Sequence, residues 1–481
     1  MFEFRTVTPS EVRKIIVDSP SNKAPGVDKI NIQFIKESLE VSLDPITDII
    51  NCSLMTSTYP TVWKMAEVIP LYKEGDPEVA QNNRPISLLS CLSKICDKVV
   101  LNQHTEYLTK HKLMTRHQSG NQKNHSMETL NIAMTDLLLE AMDNKQLSIV
   151  ICLDMSKAFD SVCHGMLLQR ISNLGASPAV YTWFKSYLSD RWQYVRIETT
   201  VSTPATLSYG IPQGIVLSPF LFNIYTDSLP SVPESCNLES YVDDSKTFLS
   251  FTLSNMNHSL RQVEEDLHRV FQWCCRNSLL VNPEKTKMLL VGTRQLMNQL
   301  EAPIHINFMG ETLTPVTEVK DLGMFLDSHL TYDKHIQALS SSHDELRQIG
   351  RVKHNFDQQT LTTIIDTLVM SKINYCSSVW ANTSDNNIKK IQLIQNYAAR
   401  LIAGVPKYDH ISPTLNTLGW LTIKERLVYR VALLTYKSIN NIAPPYLCDK
   451  FEERNRIHNR DTRRKGDLDI PKCKTSSGQR S

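Results

Sequence analysis

No apolar run in this chain reaches the length needed to cross a bilayer, and residues 1–8 lack the basic and apolar pattern of a secretory leader. Both absences point to a soluble, intracellular protein. An excess of one charge is also missing, since 52 Lys and Arg stand against 50 Asp and Glu, for a formal net charge of +2. A nucleic-acid partner would have to be held by a local stripe of Lys and Arg, because bulk attraction is absent. The eleven cysteines include no Cys-x-x-Cys; the nearest pairs are Cys91 with Cys96 and the adjacent Cys274 and Cys275. That argues against a zinc site and for reduced, packed thiols. No internal repeat or low-complexity tract is visible. With 481 residues, 41% of them hydrophobic, the chain can bury a large core divided over several subdomains.

What is present centres on residues 238–251, LESYVDDSKTFLSF. Two β-prone runs flank an Asp-Asp pair, and the pattern predicts a hairpin with Val242 and Phe248 in the strands and Asp243 and Asp244 at the tip. Adjacent carboxylates repel unless a cation neutralises them, and Mg²⁺ does so with oxygen ligands while leaving positions open for phosphate oxygens. A surface turn is the plain alternative for an isolated pair. Two-ion phosphoryl transfer needs a further carboxylate from elsewhere. Residues 146–154, QLSIVICLD, form the most strand-like buried run and deliver Asp154 at its end, with Phe159 five residues on. Asp160 and His164 are alternative carriers, although Asp160 could equally cap a helix beginning near Ser161.

Other segments add candidates one at a time. Thr8-Pro9-Ser10-Glu11 is a capping box with Pro at the first helical position. A helix so near the first residue suggests a longer polypeptide. Residues 67–72 read as a strand, and Lys73 and Arg84 flank a Gly-Asp-Pro loop; folded back, that pair would offer a point charge and a planar fork to a triphosphate. A solvated hairpin is the competing account. Residues 165–187 read as one helix and 192–206 as strand. Gly210-Ile211-Pro212-Gln213-Gly214 then opens an apolar helix running to Leu229, and its glycines allow close backbone approach to a base or sugar. Lys285 is a candidate proton donor or triphosphate contact. Beyond Asp333 the pattern turns helical, with Ile388, Ile391, Ile394, Ala398, Leu401 and Ile402 on one face, Lys389, Lys390 and Arg400 on another, and Gly404 and Pro406 as stops. The tail is polar and basic, with Arg463-Arg464-Lys465, and reads as disordered.

Asp154-x4-Phe159, Pro212-Gln213-Gly214 and Tyr241-Val242-Asp243-Asp244 follow one another in the order and spacing of a reverse transcriptase palm. With KAPGVDKI, WKMAEVIPLYKEGD, NNRPISLLS, LDMSKAFDSV, LVNPEKTKMLL, VKDLGMFLD, NYCSSVW and LGWLTIKERL, the chain resembles, over nearly its whole length, the reverse transcriptases of LINE-like non-LTR retrotransposons of the jockey-related group. The resemblance implies an α+β right-hand polymerase fold: fingers, a palm of antiparallel sheet plus helices, and a mainly helical thumb and C-terminal region. Its linear division would be an N-terminal helical extension at 1–60, fingers and palm at 61–330, thumb and C-terminal region at 331–450, and the basic tail at 451–481. The implied activity is that of an RNA-directed DNA polymerase, a nucleotidyltransferase extending a primer DNA on template RNA with deoxynucleoside triphosphates.

By the same resemblance Asp154, Asp243 and Asp244 carry two Mg²⁺ ions, for which Mn²⁺ could substitute. Lys73 and Arg84 grip the triphosphate, Gln213 and Gly214 line the template and nucleotide pocket, and Phe159 excludes ribonucleotides. Lys285 protonates pyrophosphate, and Leu322-Gly323 forms the primer grip. The chain departs from the family pattern at Asn83, at Gly120-Asn121-Gln122, and at Ile215 and Ser218. Those departures keep a rival in view, a catalytically inactive relic that retains only nucleic-acid binding. Family members carry an endonuclease-like domain upstream, so the expectation is the polymerase portion of a second open reading frame, working in the nucleus.

Overall fold

Thr8 caps the helix Pro9–Asp18 as its spacing predicts, with Glu11 returning to the Thr8 amide at 2.9 Å. The computed structural model describes residues 1–452, 467–468, 473–475 and 478–480; Arg463, Arg464 and Lys465 of the tail lie outside the described residues. Two compact units emerge, each built from three stretches of chain: 1–121, 155–232 and 269–282 in the first, and 122–154, 233–268 and 283–481 in the second.

In the first unit, the strand Met65–Tyr72 folds back on Asn83–Leu88 in antiparallel register, pairing Leu71 with Arg84 and Tyr72 with Asn83. Its other edge runs parallel to Arg191–Ile197. The segment expected as strand over 192–206 is three short strands, Arg191–Ile197, Thr200–Val201 and Ala205–Leu207. The helix expected over 165–187 is also divided, into His164–Asn173 and Pro178–Leu188. Gly175, at φ +92°, takes the left-handed turn that ends the first piece, and Pro178 starts the second. An aromatic stripe on the second piece is the core of this unit: Trp183, Phe184 and Tyr187 are fully buried, with Tyr59 edge-on to Tyr187 at 4.9 Å. Arg191 is sealed among them, its guanidinium 4.9 Å from the Tyr187 ring and donating to the Tyr187 carbonyl at 2.9 Å.

The second unit is organised on a five-stranded sheet in the order Pro315–Val316, Lys287–Val291, Leu147–Leu153, Asp244–Phe251, Asn237–Tyr241. The central strand, Leu147–Leu153, is buried along nearly its whole length because sheet neighbours and the helix Met127–Asp143 enclose it. Met134, Leu138 and Leu139 of that helix share one cluster with Val150, Phe248 and Leu289 of the sheet. The same cluster continues into the helical region, where Ile391, Ile394, Ala398, Leu401 and Ile402 of Asp385–Ala403 are buried as their spacing predicts. Gly404, at φ +69°, closes that helix. The segment around Leu322-Gly323 is a hairpin, Glu318–Asp321 with Met324–Asp327. Leu322 at φ +42° and Gly323 at φ +80° make its two-residue turn.

Candidate active site

The strand Leu147–Leu153 pairs antiparallel with Asp244–Phe251, ending with Leu153 opposite Ser245. One further step of that register carries Asp154 opposite Asp244. On the other side Asn237–Tyr241 pairs with the same strand, and its last partners are Tyr241 and Asp244. The hairpin tip is therefore Val242-Asp243, and Asp244 is the first residue of the returning strand. This corrects the sequence expectation, which put Val242 in a strand and both aspartates in the turn. Val242 sits at φ +61°. For a β-branched residue this is a strained conformation, held by the pairing of the strands on either side.

Asp243 and Asp154 are half-buried, whereas Asp244 reaches solvent. Packing around the Asp244 carboxyl, then the negative charges of Asp243, Asp321 and Asp154, push its pKa up from 3.8 to about 6, while Lys246 pulls the other way. Asp244 thus sits in the field of three further carboxylates, a condition that a divalent cation relieves. Among the described residues no three acidic, histidine or cysteine side chains close a metal cage by themselves. The donor set fits a hard cation such as Mg²⁺, which binds through one or two carboxylates and completes its shell with water and substrate phosphate oxygens.

Lys285 lies exposed in the same unit, in the turn before the strand Lys287–Val291. Two further residues of this unit, Lys246 and Asp321, lie within the quoted segments LESYVDDSKTFLSF and VKDLGMFLD, yet the sequence assigns neither a role. Their ammonium and carboxylate are paired in the interior, at 1% and 5% side-chain exposure. The available signal was a lysine in the middle of a β-prone run.

The remaining candidates belong to the first unit. Lys73 follows the strand Met65–Tyr72, its amide donating to the Asn82 carbonyl at 2.9 Å, and its ammonium is 3.8 Å from Glu74. Arg84 lies opposite Leu71, and the two-residue period carries Lys73 to that same face, both side chains exposed. Ser87, on the strand of Arg84, donates its amide to the Gln213 carbonyl at 2.8 Å. Gly214, at φ +90°, approaches Ile86 so closely that an added Cβ would come within 3.2 Å of its Cγ2. Strand and Pro-Gln-Gly loop are thereby one structure, and Ser218 secures the loop by donating to the Pro212 carbonyl at 2.6 Å. The helix that follows is Ser218–Thr226, shorter than the expected run to Leu229.

Phe159 stacks on Phe222 with centroids 4.7 Å apart. Asp160 caps no helix: Cys163 occupies the N-cap of His164–Asn173, and the Asp160 carboxylate accepts the Gln213 side-chain amide at 3.1 Å. His164 Nε2 donates to the Gly210 carbonyl at 2.7 Å, which makes His164 a support of the loop. Asn83 ties down its own loop through Pro77 and Val79 carbonyls at 2.8 and 3.0 Å. A cleft of about 940 Å³ borders Ile86, Ser87 and Gly214 and carries Lys14, Lys94 and Lys98 on its walls. Arg5 and Lys23 also line it, and Glu11 and Asp18 stand among these cations.

Among the described residues, no helix is long and apolar enough to cross a membrane. The probable RNA-directed DNA polymerase from transposon BS of Drosophila melanogaster is 30% identical over 429 residues, which is 87% of this chain and 47% of that protein. The RNA-directed DNA polymerase from the mobile element jockey of the same fly is 26% identical over 420 residues, covering 84% and 44% respectively. The chain thus spans about half the length of the curated relatives it matches. A structure of apo telomerase from Candida tropicalis, truncated from the C-terminal domain, aligns over 56% of this chain and 54% of that one, with 15% identity and a TM-score of 0.38. The model of the family described as reverse transcriptase (RNA-dependent DNA polymerase) matches residues 72–349, more than half of the chain, and the protein therefore belongs to that family.

Proposed function

We propose that this chain is the polymerase portion of a non-LTR retrotransposon protein, an RNA-directed DNA polymerase that extends a primer 3′ hydroxyl on template RNA. The observation supporting this reading is the register that ends with Leu153 opposite Ser245, next in sequence to Asp154 and Asp244, beside a hairpin whose turn holds Asp243. Asp154, Asp243 and Asp244 would hold Mg²⁺. When bound, the metal supplies an acidified primer hydroxyl and neutralises charge on the triphosphate. Lys73 and Arg84 bind triphosphate oxygens, the lysine as a point charge and the arginine as a fork. Gln213 and Gly214 line the nucleotide and template pocket, Gly214 because its missing Cβ lets the backbone come close. Phe159 walls off the sugar 2′ position, and Lys285 gives a proton to the departing pyrophosphate. Leu322 and Gly323 meet the primer.

The test is extension of a DNA primer on an RNA template by purified protein with Mg²⁺ and deoxynucleoside triphosphates, beside Asp243→Ala. Extension by the parent, reduced about a thousandfold or more in the variant, is expected. Equal extension by both would overturn the assignment. Salt-dependent RNA binding by a folded parent without synthesis would make the chain an inactive relic.

A further inference from the structure

Between the acidic hairpin and the Leu322–Gly323 turn lies a chain of contacts that no motif announces. Lys246 follows Asp244 by two residues, so the pleat puts both on one face of their strand. Cys152, which lies directly opposite Lys246, precedes Asp154 by the same interval. The Lys246 ammonium therefore sits at the base of the face that carries the carboxylates. It donates to the Asp321 carboxylate and, at 3.1 Å, to Oδ1 of Asn131, itself fully buried on the helix Met127–Asp143. A lysine this deeply buried is tolerated only with its charge paired and its hydrogen bonds made. Asp321 is the last residue before the turn, and its backbone pairs with Met324 across it.

The turn is held from its other side as well. Tyr375 donates its hydroxyl to the Leu322 carbonyl at 2.7 Å. Its ring lies flush against Gly323, where an added Cβ would meet ring carbon Cε1 at 3.1 Å. Leu322 is buried, yet it holds φ +42°, and the exposed Gly323 forms the tip. Two anchors fix this turn, one running back to the strand of Asp244 and the other to Tyr375.

Resting on the polymerase reading above, we propose that Lys246, Asp321 and Tyr375 are positioning residues that hold the Leu322–Gly323 turn in place relative to the acidic strand, and so set the affinity for the primer end. Lys246 and Asp321 touch neither nucleotide nor primer in this assignment. Substrate held by the turn loses its alignment when either anchor goes, while recognition of the triphosphate does not depend on them.

Two variants are chosen to disturb the fold least. Tyr375→Phe removes only the hydroxyl. Lys246→Met combined with Asp321→Leu replaces the buried pair with apolar side chains of the same branching, a kind of change that buried ion pairs commonly tolerate. The first measurement is fluorescence anisotropy of a labelled DNA primer annealed to an RNA template, titrated with protein in EDTA. The second is steady-state extension with separate KM values for primer–template and for deoxynucleoside triphosphate, with melting curves as the check on folding. Both variants are expected to weaken duplex binding and raise the primer–template KM by about five- to tenfold, with the nucleotide KM within about twofold of the parent. Unchanged duplex affinity in both folded variants, while the parent extends its primer, overturns the positioning role alone. A nucleotide KM that rises in step with the primer KM also overturns it. A folded parent that neither binds the duplex nor extends it removes the polymerase reading, and the inference falls with it.

Discussion

The side-chain amide of Gln213 donates to the Asp160 carboxylate at 3.1 Å, so the glutamine of the Pro-Gln-Gly loop is oriented before any nucleotide arrives. Asp160→Ala should release it and raise the nucleotide KM about three- to tenfold with little change in kcat. Asp160→Asn keeps an acceptor oxygen and should behave like the parent. Steady-state kinetics on the two variants separate this role from a general loss of fold, since only a loss confined to the alanine variant fits it.

Phe159 is held by its stack on Phe222, which gives the proposed sugar wall a fixed position. Phe159→Val should admit ribonucleotides, lowering the preference for deoxyribonucleotides by about tenfold or more. Competing the two substrates in one extension assay measures it directly. An unchanged sugar preference would take the wall role away from Phe159.

Val242 carries strain in the turn of the acidic hairpin, at φ +61°. A left-handed β-branched residue costs about 1–2 kcal/mol, and glycine would relieve that while adding freedom to the unfolded chain. Val242→Gly should therefore melt within a few degrees of the parent, yet turn over several-fold more slowly, because the turn that holds Asp243 is loosened. A large fall in melting temperature would show instead that the Val242 side chain contributes packing beyond its strain.

His104 is fully buried in the first unit, stacked on Phe2 at 4.7 Å, and among the described residues neither ring nitrogen has a hydrogen-bond partner. Burial lowers its pKa from 6.5 to about 4. A histidine depressed in this way keeps the folded state at full strength above pH 6.5. As pH falls from there toward 4, the unfolded chain takes up the proton first, and stability is lost by up to about 3 kcal/mol. His104→Phe retains the stack and should flatten that part of the profile. Melting temperatures measured between pH 7 and pH 4.5 on both proteins decide the point; parallel curves would assign the acid sensitivity to other groups.

Local patterns wrote much of this protein into its sequence. The capping box at Thr8, the buried strand that leads into Asp154, the apolar face from Ile391 to Ile402 and the Gly404 stop all depend on neighbours within a few turns of chain, and each stands where its spacing put it. The Asp-Asp hairpin was legible as well, but its tip was misplaced by one residue, because turn residues alone do not fix register; pairing with Asn237–Tyr241 does. Other features needed the tertiary structure. Gly175 divided a helix that looked continuous, and Asp160 found Gln213 instead of a helix end. Lys246 meets Asp321 from 75 residues away, and Tyr375 meets Leu322 from 53. A buried lysine and an exposed one read alike in a sequence. Which carboxylate lies beside it depends on how distant strands are brought together, and that is decided only when the core closes around them.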